Sequence, residues 1–175
     1  MGETLIINLI GGPCSGKSTI ASGLFYHLKM LGYNCELASE FAKDKVWEES
    51  IKVLDDQFYV FGKQYHKLFR LNGKVDIVIT DSPLPISLLY NKTPSKYFNN
   101  FVVEQYKRFN NLMFFINRPK DVYQGEGRLQ TKEESERLDE ELKVLMNTHG
   151  IRFQEMPCEN AVDEIIEIIT RLWKK

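Results

Sequence analysis

The chain has 175 residues, the size of one ordinary domain with a substantial core, which argues against two independent domains. Its 23 Lys and Arg residues balance 24 Asp and Glu residues, so the net charge of −1 provides no global basic field for nucleic acid or an anionic membrane. The three cysteines are widely spaced without a C-x-x-C pair, which argues against a disulfide framework or a zinc site and favours a reducing compartment.

The residues before the first predicted strand, Met1-Gly2-Glu3-Thr4, contain neither a basic n-region nor a long apolar span. We therefore expect a soluble cytoplasmic protein that is not exported and does not enter a membrane.

A phosphate-binding pattern follows the first predicted strand. Leu5–Ile10 is an almost continuous apolar run, typical of a strand buried on both faces of a parallel sheet. Residues 11–19 then fit G-x-x-x-x-G-K-[ST] without a gap. In this pattern glycines let backbone N–H groups approach phosphate oxygens, Lys17 supplies charge for the β- and γ-phosphates, and Ser18 offers a hydroxyl to Mg²⁺. The residues assigned to ATP are Gly11, Gly12, Pro13, Cys14, Ser15, Gly16, Lys17, Ser18 and Thr19. Cys14 is interpreted as a small filler, with a redox-sensitive thiol as the alternative.

An acidic residue follows the second predicted strand, at residues 34–38. Glu40 lies just beyond this strand, and open α/β sheets bind their ligands at the carboxyl ends of their strands. A carboxylate there can act as general base for an acceptor hydroxyl, which makes Glu40 a candidate catalytic and substrate-binding residue. The alternative is a solvated carboxylate that is favoured at a helix start by the helix dipole.

Residues 55–71 predict a long amphipathic helix that is rich in aromatic residues. We expect most of its apolar stripe to lie in the core. The stripe consists of Leu54, Phe58, Phe61, Tyr65, Leu68 and Phe69. Gln57, Tyr59 and Gln64 lie off the stripe and could line a substrate pocket, or could be solvated or packing residues.

The third predicted strand, at residues 75–80, ends directly in Asp81. An Asp after an apolar strand is the Walker B pattern, in which the carboxylate holds Mg²⁺, usually through water. Asp is also a common turn residue, so the pattern gains its weight from the neighbouring phosphate loop. It predicts a metal site formed by Ser18 and Asp81, and Asp81 is also a candidate for substrate binding.

The second half of the chain continues the alternation of helices and strands. Further helices are predicted at residues 95–108, from Thr131 to Gly150 and from Ala161 onward; further strands are predicted at residues 112–116 and 151–155. Between them, residues 117–131 predict a polar lid. The fold class is therefore α/β: one domain, residues 1–175, with three α/β/α layers around a mainly parallel five-stranded sheet.

These motifs together resemble the small P-loop kinases of nucleosides and nucleotides. The resemblance is carried by residues 11–19, Glu40-Phe41-Ala42, Asp81-Ser82-Pro83, Arg118 and Arg128. It is strongest to compact phage and bacterial P-loop kinase-like ATPases related to the ribosylnicotinamide kinase module, followed by deoxynucleoside and thymidylate kinases. Deoxynucleoside kinases often carry Asp-Arg after the third strand, whereas here Ser follows the Asp.

The resemblance implies roles for individual residues. Glu40 would face the acceptor hydroxyl, and Arg118 and Arg128 would reach the transferring phosphoryl group from the lid. Pro157 and Asn160 would belong to the loop that packs on adenine. Arg128 can equally be read as an ordinary surface cation.

The sequence thus predicts an ATP- and Mg²⁺-dependent kinase acting on a nucleoside, nucleotide or related metabolite, with a homodimer as a possible assembly. A second hypothesis is a kinase acting on a hydroxyl within nucleic acid, a modified base or a 5′ end. Its local basic patch would be Lys92, Lys96, Lys107 and Arg108. A third is an ATPase that passes phosphate only to water. Glu40 and the aromatic helix favour an acceptor pocket over this third class.

Overall fold

A computed structural model describes residues 3–92, 95–118 and 131–172. Its strands are β1 at Leu5–Ile10, β2 at Cys35–Ala38, β3 at Ile77–Thr80, β4 at Asn110–Asn117 and β5 at Gln154–Pro157. Its helices are α1 at Lys17–Met30, α2 at Phe41–Trp47, α3 at Gln57–Phe69, α4 at Ile86–Tyr90, α5 at Lys96–Lys107, α6 at Lys132–Thr148 and α7 at Ala161–Leu172, with a 3₁₀ helix at Ile51–Asp55. None of these described helices is long and apolar enough to cross a membrane.

The five strands form one sheet in the order β2-β3-β1-β4-β5, and every pair is parallel. Leu5 of β1 pairs with Ile77 on one side and with Asn110 on the other. The chain therefore moves to one side of β1 for β2 and β3 and to the other side for β4 and β5. This reversal beside β1 is where doubly wound sheets bind ligands at their carboxyl ends.

Helices cover both faces of the sheet, because strand side chains alternate between the faces. Ile6 and Ile10 of β1 contribute to the core formed with α3, α4, α5 and α6. Leu5, Ile7 and Leu9 contribute to the core formed with α1 and α7. The predicted three-layer α/β/α fold is confirmed, with a sheet that is parallel throughout.

The fifth strand lies later in the chain than the predicted residues 151–155. Ile151 is buried, and its N–H donates to the Met146 carbonyl at 2.8 Å, so it closes the end of α6. Strand pairing with β4 begins only at Gln154. The apolar residue that suggested a strand is therefore used for packing a helix terminus.

The expectation that most of the apolar stripe lies in the core is wrong, because only two of its six members are buried. Phe58 and Phe69 are 64% and 58% exposed, whereas Phe61 and Leu68 are buried. A helix that lies on a sheet buries only the stripe facing it, and residues at the margins remain in solvent. Phe58 instead packs against the ring of Phe98 on α5, with 4.6 Å between ring centroids.

Helix α6 begins with a capping box at Thr131, the predicted start of this helix. The Glu134 N–H donates to Thr131 Oγ1 at 3.2 Å, and the Thr131 N–H donates to Glu134 Oε2 at 2.8 Å. This pair satisfies backbone donors at the helix start. Most of the predicted lid, including Arg128, lies outside the described residues.

Candidate active site

The phosphate loop leaves β1 and enters α1 at Lys17 through a backbone that requires small residues. Gly16 has a φ of 89°, and a Cβ there would lie 2.5 Å from Cys158 Sγ. A Cβ on Gly12 would lie 2.7 Å from the Ser135 carbonyl oxygen. At Gly16 a larger residue would be strained by the positive φ and would also clash with Cys158. At Gly12 a larger residue would clash with the Ser135 carbonyl. The pattern requires a glycine at position 16 and allows any residue at position 12, and these contacts explain why both positions are glycine here.

Lys17 lies against the loop that it follows. Its Nζ donates to the Gly11 carbonyl at 2.8 Å and to the Gly12 carbonyl at 2.7 Å, with Ser15 Oγ at 3.4 Å. The ammonium group is thereby placed beside the backbone that the sequence pattern assigns to phosphate. A positive charge at this place is suited to neutralise phosphate oxygens.

The segment after β5 adjoins the same loop. Cys158 Sγ approaches Gly16, and the Cys158 N–H donates to the Asn117 carbonyl at 3.2 Å. Burial raises the pKa of the Cys158 thiol, and the charge of Glu159 raises this pKa further. The thiol is therefore neutral at physiological pH. Pro157 ends β5 and Asn160 is an exposed residue before α7, so their predicted contact with adenine stays a prediction.

Arg118, at the end of β4, braces the phosphate loop from the side. Its Nη1 donates to the Pro13 carbonyl, and its Nη2 bonds to Asp139 Oδ2 at 2.9 Å. Asp139 on α6 also accepts a hydrogen bond from the Gly12 N–H through Oδ1. The Arg118 and Asp139 side chains are 8% and 15% exposed, so this ion pair is largely buried. Sequence analysis missed Asp139, because its position 127 residues after Gly12 carries no local signal.

The buried pair predicts that Asp139→Ala lowers the free energy of unfolding by about 3 kcal/mol, because it leaves the Arg118 guanidinium buried without its counter-charge. Urea denaturation measures this change. The matched control is Glu141→Ala on the same helix, which breaks an exposed pair with Arg137 and should cost less than about 1 kcal/mol. Equal losses in the two variants would contradict a bracing role for Asp139.

The predicted magnesium ligands fit a cation with few protein ligands. Asp81 directly follows β3, the neighbour of β1, and is 7% exposed. Its Oδ1 is buried and has no hydrogen-bond partner among the described residues. Such an oxygen is costly to bury unless a cation or water meets it. The described residues contain no group of three or more His, Cys, Asp or Glu side chains suited to a metal, whereas Mg²⁺ needs only one or two protein ligands beside water and phosphate.

A cavity of about 290 Å³ opens beside the phosphate loop. Its lining includes Glu40 and Gln57, both predicted to bind substrate, together with Pro13 of the loop. The other lining residues are Ala42, Lys43, Val46, Ile51, Leu54, Asp55, Val60, Ser82, Ile86, Ser87, Tyr90 and Lys92. Asp81, which was also predicted to bind substrate, is not among the residues that line this cavity, whereas its neighbour Ser82 is. The volume is at the lower end of small-molecule sites, which begin near roughly 300 Å³.

Sequence analysis missed several of these lining residues for a clear reason. Ser82, Ser87 and Tyr90 lie on and around α4, a five-residue helix too short to show a periodic pattern. Glu40 precedes α2, another short helix, whose start was considered only in the alternative interpretation of Glu40. The cavity is thus enclosed largely by irregular and short elements at the sheet edge.

Comparisons with known proteins agree with this architecture. Residues 6–164 match the AAA domain family. The fold is similar to the structure of deoxyadenosine kinase from M. mycoides with bound dATP, with a TM-score of 0.58 and 17% sequence identity. That alignment covers 94% of this chain and 99% of the other chain. Among curated proteins no sequence matches. The chain belongs to the AAA domain family, and its fold is that of the P-loop nucleoside kinase-like proteins.

Proposed function

We propose that this protein is an ATP-dependent kinase that transfers the γ-phosphoryl group to a hydroxyl of a nucleoside or related small metabolite. The observation that carries the proposal is a cavity lined by both Glu40 and Pro13 of the phosphate loop. A carboxylate and a phosphate-binding loop on one cavity bring an acceptor base next to a phosphoryl donor site. This arrangement supplies the positioning on which phosphoryl transfer depends.

Each proposed residue has a separate task. The loop and Lys17 bind the phosphates, and Glu40 accepts the proton of the acceptor hydroxyl. Ser18 and Asp81 would hold Mg²⁺, which when bound neutralises charge on the phosphates. Arg128 remains a proposed catalytic residue of the lid. Arg118 keeps its proposed catalytic role as well, but its guanidinium would first have to leave its contacts with the Pro13 carbonyl and Asp139.

The cavity lining favours an uncharged acceptor. Its two cations, Lys43 and Lys92, are balanced by two carboxylates, Glu40 and Asp55, and Lys92 is already paired with Asp55 at 2.7 Å. Several other lining side chains can donate or accept hydrogen bonds, and the rest are mostly apolar. An apolar site with a few placed polar groups suits a planar, hydrogen-bonding ligand such as a nucleoside. A nucleotide acceptor is less favoured, because this balanced lining provides no net positive charge for the phosphate of a nucleotide.

The nucleic-acid hypothesis is weakened because two cations of its basic patch form ion pairs within the chain. Lys92 is paired with Asp55, and Arg108 is paired with Glu104 at 2.8 Å. Half of the four cations are therefore neutralised within the chain, which reduces their electrostatic attraction for phosphates. The hypothesis of an ATPase without an acceptor gives no reason for a cavity that contains Glu40.

The experiment that tests the proposal is a screen for phosphorylated products. Purified protein is incubated with γ-labelled ATP, Mg²⁺ and separate pools of nucleosides, nucleotides and oligonucleotides, and mass spectrometry identifies any product. Phosphate transfer to a nucleoside supports the proposal. Transfer to oligonucleotides alone, or release of inorganic phosphate alone, would replace it with one of the other two classes.

The proposed metal site predicts that Asp81→Asn raises the Mg²⁺ concentration needed for half-maximal rate by about 10-fold or more, with a smaller effect on ATP affinity. The neutral amide keeps the size of the carboxylate but removes its charge, which is its main attraction for Mg²⁺. Mg²⁺ titrations of the rate and of ATP binding measure the two effects. Asp163→Asn, at an exposed position of α7, is the control. An unchanged Mg²⁺ midpoint in Asp81→Asn would remove this residue from the metal site.

A further inference from the structure

A buried glutamine joins the two strand ends that carry the proposed acidic residues. Gln64 of α3 is 4% exposed. Its Oε1 accepts a hydrogen bond from the Phe41 N–H at 3.3 Å, and this N–H belongs to the peptide that directly follows Glu40. Its Nε2 donates to Thr80 Oγ1 at 3.2 Å, with the Ala38 carbonyl at 3.5 Å. The amide therefore contacts the backbone on both sides of Glu40.

Thr80 is the second member of this network. It is the last residue of β3 and is fully buried. Its hydroxyl donates to the Ala38 carbonyl at 2.8 Å and accepts a hydrogen bond from the Ser82 N–H at 3.2 Å. One hydroxyl thus holds the end of β2 and the turn that contains Asp81. The segments that carry the proposed base, Glu40, and the proposed metal ligand, Asp81, are therefore joined by a short series of hydrogen bonds.

Helix α3 holds the Glu40 segment at further points. Lys67 Nζ donates to the Ser39 carbonyl at 2.8 Å. The Phe41 ring packs edge-on against Tyr59, with 5.6 Å between centroids. Residues on both sides of Glu40 therefore contact one helix, α3, although Glu40 itself lies between a short strand and a short helix.

We propose that Gln64 and Thr80 are positioning residues that set the position of Glu40 relative to Asp81. The inference rests on the proposed kinase function of the same site. A buried amide is costly unless it is hydrogen-bonded. Within the described residues, Gln64 bonds to Thr80, to the Phe41 N–H directly after Glu40 and to the Ala38 carbonyl two residues before it. A misplacement of about 1 Å at a reacting group can cost on the order of 100-fold in rate, so such a network has a direct route to turnover.

The test uses near-isosteric variants of the full chain. Gln64→Met keeps the length of the side chain and removes its hydrogen bonds, and Thr80→Val removes the hydroxyl. Thr80→Ser keeps the hydroxyl that Thr80→Val removes, and it serves as the conservative variant. Gln105→Met is the matched control, because Gln105 is also buried, at 5% exposure, but lies on α5 and does not line the cavity.

We expect Gln64→Met and Thr80→Val to lower kcat for acceptor phosphorylation by about 10- to 100-fold, while the Kd for ATP changes by less than about twofold. Thr80→Ser and Gln105→Met should retain turnover near that of the parent protein. Transfer kinetics with the acceptor found in the screen and calorimetric titration with ATP give the two quantities, and thermal unfolding reports the stability of every variant.

Two results would overturn the inference. One is a Gln64→Met protein that is folded and loses no more turnover than Gln105→Met. The other, decisive if Gln64→Met fails to fold, is equal turnover in Thr80→Val and Thr80→Ser. A failure of the kinase proposal is distinguishable, because it would appear in the screen as release of inorganic phosphate by the parent protein without transfer to any acceptor. If Glu40→Gln loses transfer and the network variants do not, only the positioning role is wrong.

Discussion

Lys17→Ala is expected to lower phosphoryl transfer by at least about 100-fold while the protein stays folded. In the proposed mechanism the Lys17 ammonium supplies positive charge to the γ-phosphoryl group as its bonds change, and alanine offers no replacement. The side chain is only partly buried and bonds to loop carbonyls, so its loss should leave both hydrophobic cores intact. Steady-state kinetics and circular dichroism on the same preparation measure the two effects.

The control for this experiment is Lys29→Ala. Lys29 lies on the same helix, pairs with Glu36 at 3.6 Å and is partly exposed, so its removal should leave turnover unchanged. If a folded Lys17→Ala protein turned over at the parent rate, the residues 11–19 would lose their assignment as a phosphate-binding loop.

The parts of the site that sequence analysis found are those with a local pattern. Leu5–Ile10 and residues 11–19 form one continuous signal, because a buried strand, a glycine-rich loop and a helix follow one another within a short stretch. Asp81 was predicted as a site residue because it follows a strand directly, and its metal-binding role stays a prediction. Glu40 was found by the same positional argument, and the structure places it on the cavity.

The parts that were missed depend on residues far apart in the chain. Asp139 joins the loop through hydrogen bonds to Gly12 and Arg118, and nothing around Asp139 in the sequence of α6 marks it. Gln64 was considered as a pocket residue, but it is buried between β2, β3 and α3 instead. Periodicity identifies which residues of a helix lie outside its apolar stripe. It does not show which strands those side chains contact in the folded protein.

The shared fold does not identify an acceptor, so the proposed acceptor depends on the cavity. A likeness of 17% identity establishes the arrangement of strands and helices, whereas substrate choice depends on individual lining residues. Here Ser82 lines the cavity at the position after Asp81, where deoxynucleoside kinases often carry arginine. A serine donates and accepts hydrogen bonds without adding charge, which agrees with the balanced charge of the rest of the lining.

Glu40→Gln is expected to lower acceptor phosphorylation by about 100-fold or more, while ATP still binds. Glutamine keeps the size of the side chain but cannot accept a proton from an acceptor hydroxyl. The residue caps the start of α2 without a side-chain capping bond, so the substitution should not unfold this segment. Glu36→Gln on β2, whose carboxylate is partly exposed and paired with Lys29, is the matched control and should behave like the parent protein.

The same Glu40→Gln preparation separates a kinase from an ATPase. A kinase uses the carboxylate only for its acceptor, so slow hydrolysis of ATP in the absence of acceptor should survive the change. Acceptor phosphorylation and background hydrolysis are therefore measured side by side, together with the Kd for ATP. A large loss confined to acceptor phosphorylation is the expected result. Equal, small effects on both reactions would contradict the role of Glu40 as a general base.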